Sequence, residues 1–201
     1  MAKPKPDYTF FNVDVETSAK LVGYGKLLTV GIVPVVYNNG WVVGETFHYV
    51  RIEQGTDFPD GPYSSMEFWK DQNALVRGEA YADRSLTRLA PDEAAKSIVK
   101  YLESFEPDPM RRFFVANPVS FDKPWVDTLM ADAGLPPQFH YRSLCLRSMD
   151  FGRNPKTSFG ESRSGAKSAV LHHALYDAEA QSLDLLMMLN KRYRRFYKRW
   201  R

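Results

Sequence analysis

The stretch FFNVDVETSAK, residues 10 to 20, constrains the chain more than any other. Residues 8 to 16 are rich in Phe, Tyr and Val without steady alternation, which predicts a strand buried on both faces at the centre of a sheet. Two acids, Asp14 and Glu16, interrupt it. Side chains two apart on a strand share a face, so both carboxylates point one way while Val13 and Val15 point into the opposite layer. Crowded carboxylates repel unless a proton or a cation sits between them. The fold has to bring something to that face of the strand.

The segments that follow supply the rest of a sheet and its cover. KLLTVGIVPVVY and WVVGETFHYVRIE flank Asn38, Asn39 and Gly40 and read as a hairpin, with Pro34 marking an edge or a bulge. A Gly, Pro, Asp and Ser loop spans 53 to 65, and MEFWKDQNALVRGEAYA after it is partly helical in pattern. PDEAAKSIVKYLESF is an amphipathic helix, opened by Pro91 and two acids, with Ile98, Leu102 and Phe105 at helical spacing. RRFFVAN reads as a strand, KPWVDTLMADAGL as a helix closed by Gly134, and YRSLCLRSM as a third strand. A loop rich in Gly, Ser and Arg runs from Phe151 to Lys167, and a long helical pattern begins near Ala169. A meander followed by alternating helices and strands predicts an α/β fold, a mixed sheet with an antiparallel hairpin and parallel strands flanked by helices.

At 201 residues the chain is expected to form one domain over 1 to 201. Its 44% hydrophobic and 25% charged residues are ordinary for a globular protein, and the apolar runs are too short to span a membrane. The N-terminus lacks an apolar signal core, so a cytoplasmic location is expected, the host cytoplasm if the gene is a phage's. The single cysteine, Cys145, permits no internal disulfide and no Cys-based zinc cluster, and it reads as structural. Charge is uneven. KRYRRFYKRWR, 191 to 201, holds seven Lys or Arg and no acid, so against the overall +3 the remainder carries −4.

Two further acids join the first pair as candidates. In FFVANPVSFDKPW, Asp122 follows a predicted strand and precedes a helix, where ligands gather in open α/β sheets. Capping of that helix is the plainer reading of Asp122 alone. In LHHALYDAEAQSLDLLMML, Asp177 stands five residues after His172 and four after His173. Each site is weak evidence singly, and their value lies in combination.

In combination they resemble the DEDDh family of 3′-to-5′ exonucleases in the ribonuclease H-like superfamily. The DxE of the first motif matches Asp14 and Glu16 in VDVETS, the aspartate of the second matches Asp122 in NPVSFDKPW, and the H-x-A-L-x-D-A of the third matches His172 and Asp177. The motifs occur in family order across 10 to 185. SSMEFWKDQNALVR is also similar to a Trp and Gln segment in the exonucleases of tailed phages and in a related bacterial exoribonuclease group. The sequence departs from the family in Pro118 and Val119 of the second motif, and in Thr17, Ser18 and Ala19 where Thr-Thr-Gly is commoner.

The resemblance implies a ribonuclease H-like fold and hydrolysis of phosphodiesters at single-stranded 3′ ends, releasing nucleoside 5′-monophosphates. The phage-like segment favours DNA, with RNA ends or short oligoribonucleotides as the alternative. A nucleic-acid-binding module without turnover is the alternative of a different class. Such chemistry uses two divalent cations roughly 3.5 to 4 Å apart, and oxygen ligands suit Mg²⁺ or Mn²⁺. By resemblance Asp14 bridges the metals, Glu16 and Asp177 hold one of them, Asp122 supports the other, and His172 is the general base. Ideal helical spacing would instead pair His173 with Asp177. The family spacing favours His172, which requires that residue to lie on the turn entering the helix.

Substrate contacts are expected from Thr17 and Asn117 beside the motifs, from Trp69 by stacking and from Gln72 by its amide. Core packing is the bland reading of Trp69. In the tail, Tyr193, Phe196, Tyr197 and Trp200 share one helical face. Arg194 and Arg195 are candidates for phosphate contact, against a plain solvated face. The loop holding Arg153, Lys156, Arg163 and Lys167 carries the same two readings.

Overall fold

The computed structural model describes residues 6–53, 58–153 and 170–190, with the side chain of Arg153 left aside. The tail with Arg194 and Arg195, and most of the loop after Phe151, lie outside the described residues. Six strands form one sheet: β1 Thr9–Thr17, β2 Leu27–Tyr37, β3 Trp41–Val43, β4 His48–Arg51, β5 Arg112–Ala116 and β6 Leu144–Cys145. Their order is β3-β2-β1-β5-β6, with β4 also paired to β2. β2 runs antiparallel to β1, whereas β5 is parallel to β1 and β6 is parallel to β5. The mixed sheet with helices on its faces is the ribonuclease H-like arrangement expected, and β1 is central.

Helices α1 Met66–Lys70, α2 Ala74–Arg77, α3 Pro91–Phe105, α4 Val119–Asp132, α5 Leu146–Arg153 and α6 Ala174–Leu189 complete the framework. On one face of β1, Phe11, Val13 and Val15 pack with Ala94, Ile98 and Leu102 of α3 and with Trp125, Val126 and Leu129 of α4. Each fully buried Val, Leu or Phe side chain is worth roughly 1.5–3 kcal/mol. That layer is the main core. On the other face, Phe10 joins Val35, Val115, Leu146, Leu185 and Leu186 in a smaller cluster under α6. Asp14 and Glu16 lie on this second face, beyond the apolar cluster. Among the described residues no helix is long and apolar enough to cross a membrane.

Three expectations are corrected. Pro34 sits on an interior strand: β3 pairs Val35–Tyr37 and β4 pairs Thr29–Ile32, so Pro34 falls in the gap between the two outer partners. Its carbonyl accepts the Gly44 N–H at 2.9 Å on that outer side, where the missing proline donor is not needed. The third strand shrinks to Leu144–Cys145, because Leu146 and Met149, three apart, pack together into the α6-side cluster as a helix places them. Cys145, at the end of that short strand, is half-buried. The last helix starts at Ala174, and residues 170–173 form a turn.

Arg112 opens β5 with 1% of its surface exposed. Its guanidinium donates to the carbonyls of Glu106 (2.6 Å) and Pro107 (2.9 Å), to Gln138 Oε1 (3.0 Å) and to the Gln138 carbonyl (3.5 Å). This buried charge ties the start of β5 to the segments before and after it.

Candidate active site

A cleft of about 350 Å³ opens at the C-terminal end of β1, lined by Asp14, Glu16, Thr17, Asn117, Asp122, His172 and Asp177, with Lys20, Ser65, Phe68 and Phe121 around them. The five residues of the three motifs therefore meet, although they come from β1, α4, the turn before α6 and α6 itself.

Asp122 arrives through α4, which starts earlier than its sequence pattern predicts and places Asp122 in its first turn. Pairing of β1 with β5 ends at Asn12 and Val115, leaving the β1 backbone beyond it without a strand on that side. Asp122 Oδ1 takes up the Val15 N–H there at 3.1 Å. One carboxylate thus braces the strand that carries the other two.

α6 arrives through a glycine. Gly31 lies opposite Asp14 in the β1–β2 register. A Cβ at Gly31 would stand 2.4 Å from the Ala174 carbonyl carbon and oxygen, so only glycine lets the helix start rest on the β2 backbone. Asp177 follows in the first turn of α6, where the helix dipole favours a carboxylate. His172 stands in the turn before α6 with φ 61°, a left-handed conformation, and its N–H donates to Asp177 Oδ2 at 2.9 Å. Ligand-capable atoms of Glu16, His172 and Asp177 all lie within 4.8 Å of one another. The edge of Phe68 meets the His172 ring at 4.8 Å.

His173 does not line the cleft. It is 8% exposed, stacked on Tyr49 at 4.7 Å and tilted against Tyr176 at 4.5 Å. Burial lowers its pKa. The turn breaks the ideal helical spacing that would have made it the partner of Asp177.

The electrostatics of the cleft are those of crowded acids. Burial, then the charges of Asp122, Glu16 and Asp177, push the Asp14 carboxyl well above its ordinary range, and only the Gln181 amide opposes them. Glu16 is raised by burial, then by Asp177 and Asp122. Burial raises Asp122 to about 7, against the Val15 N–H. A divalent cation among these oxygens would reverse each of these repulsions, so the donor set fits hard metal ions. Glu16, His172 and Asp177 form a group able to chelate a divalent cation, with Asp14 and Asp122 lining the same cleft.

Gln181 is a site residue that the sequence did not announce. It lies one helical turn beyond Asp177, 8% exposed, and its Nε2 donates to Asp14 Oδ1 at 2.8 Å. Spacing of i+4 from Asp177 was the available signal. Phe68 and Lys20 were likewise missed, since both come to the cleft only by tertiary packing.

The expected substrate contacts divide. Thr17 and Asn117 line the cleft; Thr17 Oγ1 donates to the Ala19 carbonyl at 2.7 Å, and Asn117 Oδ1 is buried without a hydrogen-bond partner. Trp69 must be corrected. It has no exposed surface, its indole N–H donates to the Thr17 carbonyl at 2.9 Å, and it packs with Leu28, Val76 and Ala80. Its ring therefore supports the strand end from behind and has no face left for a base. Gln72 turns back on its own backbone, donating to the Phe68 carbonyl at 3.0 Å, and it lies outside the cleft lining.

Solved structures share this fold. The nuclease domain of 3′hExo, a DEDDh family member bound to rAMP, superposes with a TM-score of 0.65 at 11% identity, covering 92% of this chain and 94% of that one. E. coli exonuclease I in complex with a dT13 oligonucleotide gives 0.62 at 15% identity over 94% of this chain, which spans only 43% of exonuclease I. Cell-death related nuclease 4, CRN-4, gives 0.62 at 14% identity, covering 92% of this chain and 64% of that one. No curated protein matches the chain by sequence. A family profile does, described as the 3′-5′ exoribonuclease Rv2179c-like domain, and it matches residues 9–187. With that match running from β1 through α6 and across every acid of the cleft, the chain belongs to the Rv2179c-like 3′-5′ exoribonuclease domain family.

Proposed function

We propose that this protein is a metal-dependent 3′-to-5′ exoribonuclease that releases nucleoside 5′-monophosphates from single-stranded RNA ends. The observation that carries the reading is the convergence of Asp14, Glu16, Asp122, His172 and Asp177 on one cleft, in a chain of an exoribonuclease family. Of the two kinships that SSMEFWKDQNALVR offered, the family match falls on the exoribonuclease side, so RNA replaces DNA as the favoured substrate. Membership in a nuclease family also favours turnover over a binding module.

Two Mg²⁺ or Mn²⁺ ions held by the four acids would supply charge stabilisation for the phosphoryl oxygens and for the departing 3′ oxygen. Asp14 and Glu16 are presented by a strand fixed on both faces, so they change position little during turnover. Gln181 orients Asp14, and Asp122 is held by the Val15 N–H. Water attacks the last phosphorus, the bond from phosphorus to the 3′ oxygen of the preceding nucleotide breaks, and a 5′-monophosphate leaves. His172 accepts the proton of the attacking water, and its turn, pinned through its N–H to Asp177, holds the imidazole at the cleft. Asn117, with its unpartnered buried oxygen, is placed to accept from a hydroxyl of the terminal sugar.

The test is degradation of matched 5′-labelled single-stranded RNA and DNA with Mg²⁺, Mn²⁺ or EDTA, beside Asp14→Ala. The expected result is a ladder shortening from the 3′ end, faster on RNA and absent with EDTA or in the variant. Faster loss of DNA would return the substrate to the sugar of the strand in the exonuclease I complex. Intact strands under all conditions would leave the binding module. Turnover that survives His172→Ala but not His173→Ala would overturn the choice of base.

A further inference from the structure

At about 350 Å³ the cleft is at the small end of ligand pockets. A strand whose 3′ end reaches the acids has to leave over the rim. One rim is built from the loop after β1, residues 18–26, and the segment 58–65. They are joined by Lys20 N–H to the Tyr63 carbonyl (2.8 Å), Ser65 N–H to the Ser18 carbonyl (3.0 Å) and a bridge between Ala19 and Ser64. Lys20 and Ser65 line the cleft. On these same two segments Tyr24 and Tyr63 are 55% and 39% exposed, with ring centroids 4.4 Å apart at 42°.

The two tyrosines pack on each other and keep part of both rings turned to solvent at that rim. The 18–26 loop carries Lys20 and Lys26 and no acid, facing a segment whose single carboxylate is Asp60. Exposed π faces beside ammonium groups are what a single strand needs, since every base has a face to stack and every linkage a charge to balance.

We propose, resting on the exonuclease reading, that Tyr24 and Tyr63, with Lys20, form a stacking subsite for nucleotides upstream of the two at the 3′ end. The subsite makes the enzyme prefer oligomers over dinucleotides. It reads bases by their faces, so it is tolerant of sequence.

The test separates this from the catalytic reading by measuring binding in EDTA, where no turnover occurs. Fluorescence anisotropy with 5′-labelled hexanucleotide and dinucleotide RNA is compared for wild type, Tyr24→Ala, Tyr24→Phe and the Tyr24→Ala/Tyr63→Ala pair, each checked by thermal melting. The expected result is a rise of about 10-fold in Kd for the hexamer in the double variant, a smaller rise in Tyr24→Ala, and recovery in Tyr24→Phe, which keeps the ring. Dinucleotide binding shifts by less than about 2-fold. An unchanged hexamer Kd in a folded Tyr24→Ala, or equal losses for hexamer and dinucleotide, would overturn the subsite. Failure of the exonuclease reading appears separately, as intact strands with Mg²⁺ or Mn²⁺ present.

Discussion

The protein buries charge in two places and treats it in opposite ways. Arg112 is enclosed at the start of β5, and carbonyls and the Gln138 amide meet its guanidinium from fixed positions. At the other end of the sheet, Glu16 and Asp122 are buried beside the half-buried Asp14, and the charges of Asp122 and Asp177 raise the proton affinity of both Asp14 and Glu16. A charge wired to neutral partners holds a structure together. A group of like charges repels itself, and is kept where a ligand will supply what is missing.

The sharpest way to break this comparison is Asp14→Asn. Turnover is expected to fall by about 10³-fold or more, while the melting temperature of metal-free protein rises because one repelling charge is gone. A variant that loses both activity and stability would place Asp14 with Arg112 instead. Arg112→Leu should behave in reverse. Stripping Gln138 and two carbonyls of their donor is expected to lower unfolding free energy in urea by about 3 kcal/mol, with kcat per folded molecule within about 2-fold of wild type.

The acids also give the metal-free protein an unusual pH profile. Asp122 binds its proton up to about pH 7 in the fold, against an ordinary 3.8, so between these values the native state holds a proton that the unfolded chain has released. Stability should therefore be fullest below about pH 4 for this group and decline as pH rises toward 7. Calorimetric scans across that window, without and with Mg²⁺ or Mn²⁺, check this. Cation should restore stability most at the upper end. The smallest effect expected is for Gln181→Leu: kcat down by about 10-fold and a higher Mg²⁺ midpoint, with melting nearly unchanged. Equal activity in that variant would show that Asp14 needs no orienting amide.

The two charge sites also differ in how legible they were. The acids could be read because strand alternation fixes the face of Asp14 and Glu16, and because the three motifs keep their order. The helical period of Ile98 and Leu102, and the Asn39 turn, were legible for the same local reason. Arg112 gave no sign, since RRFFVAN reads alike whether its arginines are wet or buried, and its partners lie before and 26 residues after it. Trp69 misled because stacking on a base and sealing a core use the same ring, and only the placement of Thr17 over it decides. The strand expected around Cys145 is cut short at that residue because short apolar alternation suits a helix that packs Leu146 and Met149 equally well. Nothing in the pattern of β2 marked Gly31 as the seat of α6, because the start of that helix meets it only in the fold.

That close approach at Gly31 has a consequence for how the protein is made. Asp14 and Glu16 leave the ribosome well before His172 and Asp177. In a chain released early, before α6, the first acids are present with nothing to complete them. Because synthesis runs from the N-terminus, the acid cluster is completed only when α6 settles onto a strand made before it.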